Sequence, residues 1–344
     1  MDKERFPRDK VCGGWITPQV LQELEVDPHI YSGQHVLQPI TGFRAGRIDG
    51  REIEIQYGRA VSFGVRRCEF DHYLLQRSGA RLFVGATLSD LRRSGGDWIV
   101  NGQIRTPLVV GAGGHFCPVA RFLGARLAAE PVVAAQEVEF SLDDSQQEHC
   151  RIDRTVPELF FCRDLKGYGW CFRKQNFLNV GLGRLGNQGL SSHVTAFVHF
   201  LKSRGKIPAE VSFRLHGHAY LLYGYSNRQV VDNGLLLVGD AAGLAYAQSG
   251  EGILPAVESG LLAAETILNA ACRYRRENLE PYRQRLAMRF GRTLQDRTGS
   301  LARCVPQWLV SWLGGALLAW PWFLRSVVLE RWFLHSNQPV MVAS

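Results

Sequence analysis

The segment from Leu235 to Ile253 constrains the fold of this chain more than any other. Leu235-Leu236-Leu237-Val238 is an unbroken apolar run with no polar alternation, as expected of a strand buried on both faces of a parallel sheet. Gly239-Asp240-Ala241-Ala242-Gly243 follows, then Ser249-Gly250-Glu251-Gly252-Ile253, then an Ala-rich helix predicted over 252–272. A carboxylate at the C-terminal edge of such a strand lies where open α/β sheets bind ligands, so Asp240 is placed to accept from sugar-type hydroxyls. Gly250, Gly252 and Ile253 fall at a helix start, where unsatisfied amides suit an anion or an electron-rich carbonyl.

The rest of the pattern fits a ligand-binding α/β layer with an insertion. Strands are expected over 52–57, 81–86 and 108–110, the last ending in Gly111-Ala112-Gly113-Gly114, with a helix over 69–79. From Pro131 the texture turns to β, with short strands over 132–140, 158–163, 168–173 and 177–182. A helix with Ser191 as its N-cap then runs to Ser203 and closes at Gly205. This alternation predicts a discontinuous nucleotide-binding domain (1–130 and 228–275) interrupted by a sheet domain (131–227), with a helical C-terminal segment (276–344).

Several other classes are disfavoured. The chain has 344 residues, 46% of them hydrophobic, which excludes disorder and a disulfide miniprotein. Its eight Cys show no metal spacing and read as reduced thiols of a cytoplasmic protein, and no metal site is expected. The charged Met1-Asp2-Lys3-Glu4-Arg5 start lacks the apolar core of a signal peptide. No GxSxG or HExxH hydrolase motif occurs. Gly181-Leu182-Gly183-Arg184-Leu185-Gly186 matches GxGxxG, but the helix after it starts too late to offer its amides, so it reads as a strand end. His216-Gly217-His218 places two rings on one strand face without a third ligand. Between Cys272 and Gly299 eight Arg stand against three acidic residues, yet no nucleic-acid module accompanies them, and no nucleic-acid partner is expected.

Cys304–Leu324 holds 21 residues without a charge, four of them Trp. That length meets the threshold for a membrane span, but Pro306, Gly314, Gly315 and Pro321 suit short packed helices better. Three readings stand: the roof of an apolar pocket, peripheral membrane contact, or a span.

With these residues in view, the Leu237–Ile253 run resembles the second FAD-binding motif of the geranylgeranyl reductase family, which has the p-hydroxybenzoate hydroxylase-like fold. Phe6-Pro7-Arg8-Asp9-Lys10-Val11-Cys12-Gly13-Gly14 resembles that family's PRxKxCGG stretch, and Arg66-Arg67-Cys68-Glu69-Phe70-Asp71 its RRxxFD helix start. Tyr168-Gly169-Trp170-Cys171-Phe172 resembles its YxWxFP substrate-pocket motif, and Ala86-Thr87-Leu88 the strand end that meets adenine. The resemblance covers roughly residues 2–330.

It implies an FAD/NAD(P)-binding three-layer domain around FAD, with Asp2, Arg8, Cys12, Gly13, Arg67, Leu88, Gly239, Asp240, Gly250, Gly252 and Ile253 against the cofactor. Tyr168, Trp170 and Phe172 would line an apolar pocket, and Cys12 would lie near the isoalloxazine ring as a candidate acid. The implied activity is reduction of carbon–carbon double bonds in an isoprenoid or other hydrophobic substrate, with NAD(P)H or a ferredoxin-like protein as donor. A flavin monooxygenase or halogenase is the alternative in enzyme chemistry, and a non-catalytic fragment with weak FAD binding the alternative in class. The chain departs from the family at four points. The first βα unit, which carries the pyrophosphate-binding GxGxxG loop, is missing, with Asp2 where the ribose-binding acid would stand. Gly113 replaces the Asp of a GADG turn, Arg173 the Pro of YxWxFP, and Ala247 a Pro before GEGI.

Overall fold

The computed structural model describes residues 1–126, 130–186, 188–211, 214–291 and 307–341, with backbone only for 307–312. Its centre is a seven-stranded sheet in the order His216–Leu221, Val132–Ser141, Phe177–Leu185, Gly167–Lys174, Glu158–Phe161, Gly42–Arg47 and Glu52–Gln56. All neighbours are antiparallel except the Glu158–Phe161 and Gly42–Arg47 pair. The last two strands, at one edge, come from the N-terminal part of the chain, far in sequence from the rest of the sheet.

One face of this sheet is a hydrocarbon core. The helix Leu190–Ser203 packs on it through Leu190, Val194, Phe197 and Leu201, spaced to form one buried stripe, against Phe160, Leu178, Val180 and Leu182. Its N-cap is Gly189 in a left-handed conformation, not Ser191, so the glycine turn caps the helix two residues earlier than expected. Gly181 and Gly183 lie inside the Phe177–Leu185 strand, which runs on past the expected end at Leu182.

Leu235–Leu237 forms the expected buried strand, each residue fully enclosed, parallel to Val109–Gly111. The helices Ile253–Asn269 and Arg276–Phe290 cover this layer, and Tyr282 donates from its hydroxyl to Leu237 O at 2.7 Å. Arg292 and Arg297 of the basic segment lie outside the described residues. The strand expected over 81–86 reduces to one parallel bridge, Asp2 to Val84, with Leu82, Phe83 and Val84 partly exposed. Three backbone bonds, Asp2 N to Phe83 O, Gly85 N to Glu4 O and Ala86 N to Asp2 O, hold it without making a ladder.

The C-terminal part comprises the helix Gln307–Leu318, a turn, Pro321–Phe323 and a π-helical stretch Leu324–Phe333. Leu318, Leu324, Val328, Leu329 and Phe333 are buried against Phe43, Leu159 and Phe161, with Tyr168 and Trp170 at the edge of the same cluster. One side of the segment thus packs over the cluster that holds Tyr168 and Trp170. Among the described residues no helix is long and apolar enough to cross a membrane. No group of three or more metal-binding side chains occurs among them either.

Candidate functional site

The strand period of two puts Tyr168, Trp170, Phe172 and Lys174 on the sheet face opposite the helix Leu190–Ser203. Registered beside them are Asn179, Gly181 and Gly183, then Glu139, Glu137 and Ala135, then His218 and Tyr220. Next to the aromatic strand, Gly181 and Gly183 therefore add no side chains to the floor, and Asn179, Glu137 and Glu139 stand beside them. Trp170 turns its indole over Gly181, where a Cβ would lie 2.2 Å from Trp170 Cζ2, and donates from Nε1 to Asn179 Oδ1 at 2.7 Å.

Two loops close on this wall. Cys12–Gly14 lies over Trp170, Phe172 and Lys174. Gly14 has φ +64° and a Cβ there would meet Val65 O at 2.2 Å, so only glycine fits. The Cys12 amide donates to Glu137 Oε1, and Lys174, fully buried, is ion-paired with Glu139. The second loop, Ser249–Gly252, is tied to the wall by Tyr168, whose hydroxyl donates to Ser249 O at 2.5 Å. Gly250 sits against the Tyr220 hydroxyl, and Gly252 against Asp240, whose Oδ1 would be 3.1 Å from an added Cβ.

Asp240 leaves the end of Leu235–Leu237 in a tight turn that begins at Gly239 with φ +56° and is held by a Gly239 N–H to Ser259 Oγ bond of 2.9 Å. Burial pushes its carboxyl up, but hydrogen bonding from His218 and the charges of Lys10, His218 and Arg67 outweigh that and hold it below the usual range. His218 Nε2 lies 3.6 Å from Asp240 Oδ2. Arg67 grips Asp71 through two bonds of 2.8 and 3.0 Å, and Arg8 reaches the same carboxylate at 3.4 Å. Arg8, Cys12, Gly13, Arg67, Gly239, Asp240, Gly250 and Gly252 thus share one neighbourhood with Tyr168, Trp170 and Phe172. Ile253 opens the helix beside Gly252 but turns its side chain into a neighbouring core cluster. Asp2 and Leu88 belong to a different set of contacts. Asp2 bonds to Glu4, Phe83 and Ala86, and Leu88 packs on the core around Leu235.

One expectation needs correction. The helix start at Ile253 is not a row of free amides, because Glu251 turns back and accepts from Leu254 N at 2.7 Å. Burial raises the Glu251 carboxyl to about 8, and its other oxygen faces His335 Nε2 at 3.5 Å. His335, lowered to about 4 by burial and by Arg289, stacks on Tyr246 at 3.9 Å. His115 is buried, and its carbonyl accepts from Arg228 Nη2 at 3.0 Å.

Glu137, Lys174, His218, Tyr220 and His335 were not singled out as cofactor or substrate contacts from the sequence. Glu137 is almost fully buried, its Oε2 has no hydrogen-bond partner, and burial raises it to about 7 against the opposing pull of Lys174. The alternating His216 and His218 were visible, but Asp240, the partner that gives His218 meaning, stands in another element.

No family model matches the chain. It is 28% identical over 236 residues to the digeranylgeranylglycerophospholipid reductase of Methanocaldococcus jannaschii, covering 64% of this chain and 59% of that protein. It is 26% identical to the geranylgeranyl diphosphate reductase of Rhodobacter capsulatus, over 77% of this chain and 68% of the relative. To the menaquinone reductase of Mycobacterium tuberculosis it is 27% identical, over 78% and 69%. The chain therefore spans about three fifths of the length of the Methanocaldococcus protein. A geranylgeranyl bacteriochlorophyll reductase-like structure from Thermoplasma acidophilum superposes with a TM-score of 0.69 at 22% identity, covering 92% of this chain and 80% of that one. The halogenase PltM in a complex with FAD superposes at 0.64 and 14% identity, over 84% and 68%. The fold is thus the α/β fold that these reductases and halogenases share. In sequence, the chain is similar to the digeranylgeranylglycerophospholipid and geranylgeranyl diphosphate reductases over about two thirds to three quarters of its length.

Proposed function

We propose that this chain is part of an FAD-dependent oxidoreductase that reduces carbon–carbon double bonds of an isoprenoid lipid. The observation that carries the reading is the meeting of the Cys12–Gly14 loop, Asp240 and the Gly250–Gly252 loop on one aromatic, glycine-floored wall. That arrangement fits the flavin end of FAD. Asp240 is a charged acceptor for ribityl hydroxyls, Gly252 leaves room beside it, and the narrow cradle at Gly13 and Gly14 admits a flat ring against Trp170 and Phe172. The adenosine end would fall to Asp2 and Leu88. Reduced flavin, when bound, supplies a hydride to a double bond. The chain's own part is to hold an extended hydrocarbon against the wall, exclude water under the C-terminal roof and supply polar groups at Cys12 and Tyr168. The names of the relatives support an isoprenoid substrate, and they span lipid, diphosphate and quinone substrates. NAD(P)H or a ferredoxin-like protein would serve as donor.

The halogenase reading draws on the PltM superposition. A halogenase needs a free amine in its tunnel, and the buried lysine beside Gly14, Lys174, is held by Glu139.

The test is anaerobic. The chain is mixed with excess FAD, reduced with dithionite and given a geranylgeranyl lipid. Flavin reoxidation with a mass gain of two hydrogens per double bond supports the proposal. Reoxidation only by oxygen, with a hydroxylated or halogenated product, would overturn it.

A further inference from the structure

The roof of the pocket has a second, outward face that nothing above uses. Leu313, Leu317 and Trp320 follow one another at helical spacing and are 46%, 39% and 55% exposed, and Trp322 beside them is 59% exposed. The Trp320 and Trp322 rings lie 5.4 Å apart. No charged residue occurs between Gln307 and Leu324. A helix apolar all round is ordinarily enclosed on every side, whereas among the described side chains here Leu313 and Leu317 are exposed and Leu318 is buried. Its inner side is fixed on the body. A Cβ on Gly314 would lie 2.3 Å from Leu165 Cδ1 and one on Gly315 2.7 Å from Arg47 Nη1, so the glycine pair lets the backbone sit directly on those side chains. Leu318 and Leu324 are buried in the cluster that also holds Tyr168 and Trp170.

We infer that this outward face docks on an anionic lipid bilayer, seating the pocket roof at the membrane surface. Two observations choose a bilayer over a second protein surface. The exposed aromatics are two adjacent Trp, whose rings favour the water–lipid boundary. The surrounding charge is also positive on balance. The loop carrying Leu165 and the ends of the segment bring Arg47, Arg163, Lys166, Arg325 and Arg331 against Asp49, Asp164 and Glu330, in a chain of net charge +8. A second copy would bring the same positive rim against itself, whereas anionic headgroups would complement it. The inference uses the exposed surface alone and does not depend on the cofactor reading.

Vesicle sedimentation of the full 344-residue chain tests it. The chain should pellet with phosphatidylcholine vesicles containing phosphatidylglycerol, less at high salt, and much less with phosphatidylcholine alone. Trp320→Ser combined with Trp322→Ser should cut partitioning roughly tenfold or more, while Leu268→Ser, at a 78% exposed position elsewhere, should leave it unchanged. Circular dichroism reports whether the double variant folds. Leu317→Glu, which sets a negative charge on the same face, is the second arm and should weaken binding likewise. No pelleting of the wild-type chain, or pelleting indifferent to both sets of changes, would overturn the inference. So would a sedimentation-velocity dimer that the Trp changes dissolve while vesicle binding persists, since the face would then pair copies of the chain.

Discussion

Asp240 keeps its charge in a largely buried position because His218, Lys10 and Arg67 surround it, and a cofactor hydroxyl would meet a ready acceptor there. Replacing it with Ala removes a charged hydrogen bond of roughly 1.5–3 kcal/mol. We expect FAD affinity, read by fluorescence quenching, to fall by about tenfold or more; unchanged affinity would remove Asp240 from the site. Glu251 and His335 predict a pH signature. The folded chain holds a proton on Glu251 up to about pH 8, while the unfolded chain loses it near 4.5, so this stabilisation is complete below 4.5 and lost as pH rises through 8. His335 runs the other way: its contribution is present above 6.5 and lost as pH falls toward 4. Glu137 loses its own contribution as pH rises through about 7. The melting temperature should therefore decline between about pH 6.5 and 8, and Glu251→Gln should flatten much of that decline. An identical pH profile in the variant would show that Glu251 is already ionised in the fold.

At the scale of the element, the aromatic strand works because its neighbour is rich in glycine. Gly181 leaves the space that the Trp170 indole fills, and an Ala there would meet Trp170 Cζ2 at 2.2 Å and Glu137 Cβ at 2.7 Å. Gly181→Ala should push the indole off the floor and cost about 1–3 kcal/mol, as overpacking does. Urea denaturation reads the loss, and the near-ultraviolet circular dichroism of Trp170 should change with it. A variant as stable as the wild type, with the same spectrum, would mean that the wall yields without cost. The same strand pattern was legible before folding, since Tyr168, Trp170 and Phe172 alternate. What alternation could not tell was which sheet face they share, because that depends on Phe197 and its helix taking the other face.

For the whole molecule, the question is how the two ends of a dinucleotide would be held together. The residues proposed for the flavin end cluster on the sheet face, whereas Asp2 and Leu88 make their contacts elsewhere, on and beside a one-bridge pairing with Val84. Among the described residues no glycine loop leads from a parallel strand straight into a long helix. After Gly111–Gly114 comes the five-residue Pro118–Phe122 helix, and Gly181 and Gly183 lie within a strand. We therefore expect residues 1–344 to bind FAD only weakly, with a dissociation constant in the micromolar range or above, equivalent to about −8 kcal/mol or less favourable. Calorimetric titration checks this, and tight stoichiometric binding would show that the flavin end suffices.

By itself the sequence determined those features that depend on local order. A continuous apolar run ending in Gly-Asp makes a buried strand with a carboxylate at its tip, and alternation puts three aromatics on one face. Glycines at Gly14 and Gly239 allow turns closed to other residues. The tertiary structure decided everything that depends on neighbours distant along the chain: the pairing of His218 with Asp240, the proton held on Glu251 opposite His335, and the Glu137 contact under Cys12. It also decided that strands 42–47 and 52–56 would join the later sheet, and that the charge-free tail would bury one side and expose the other. Ionisation and burial are set by the surroundings in space, and sequence spacing carries little information about those surroundings when the partners stand in different elements of the chain.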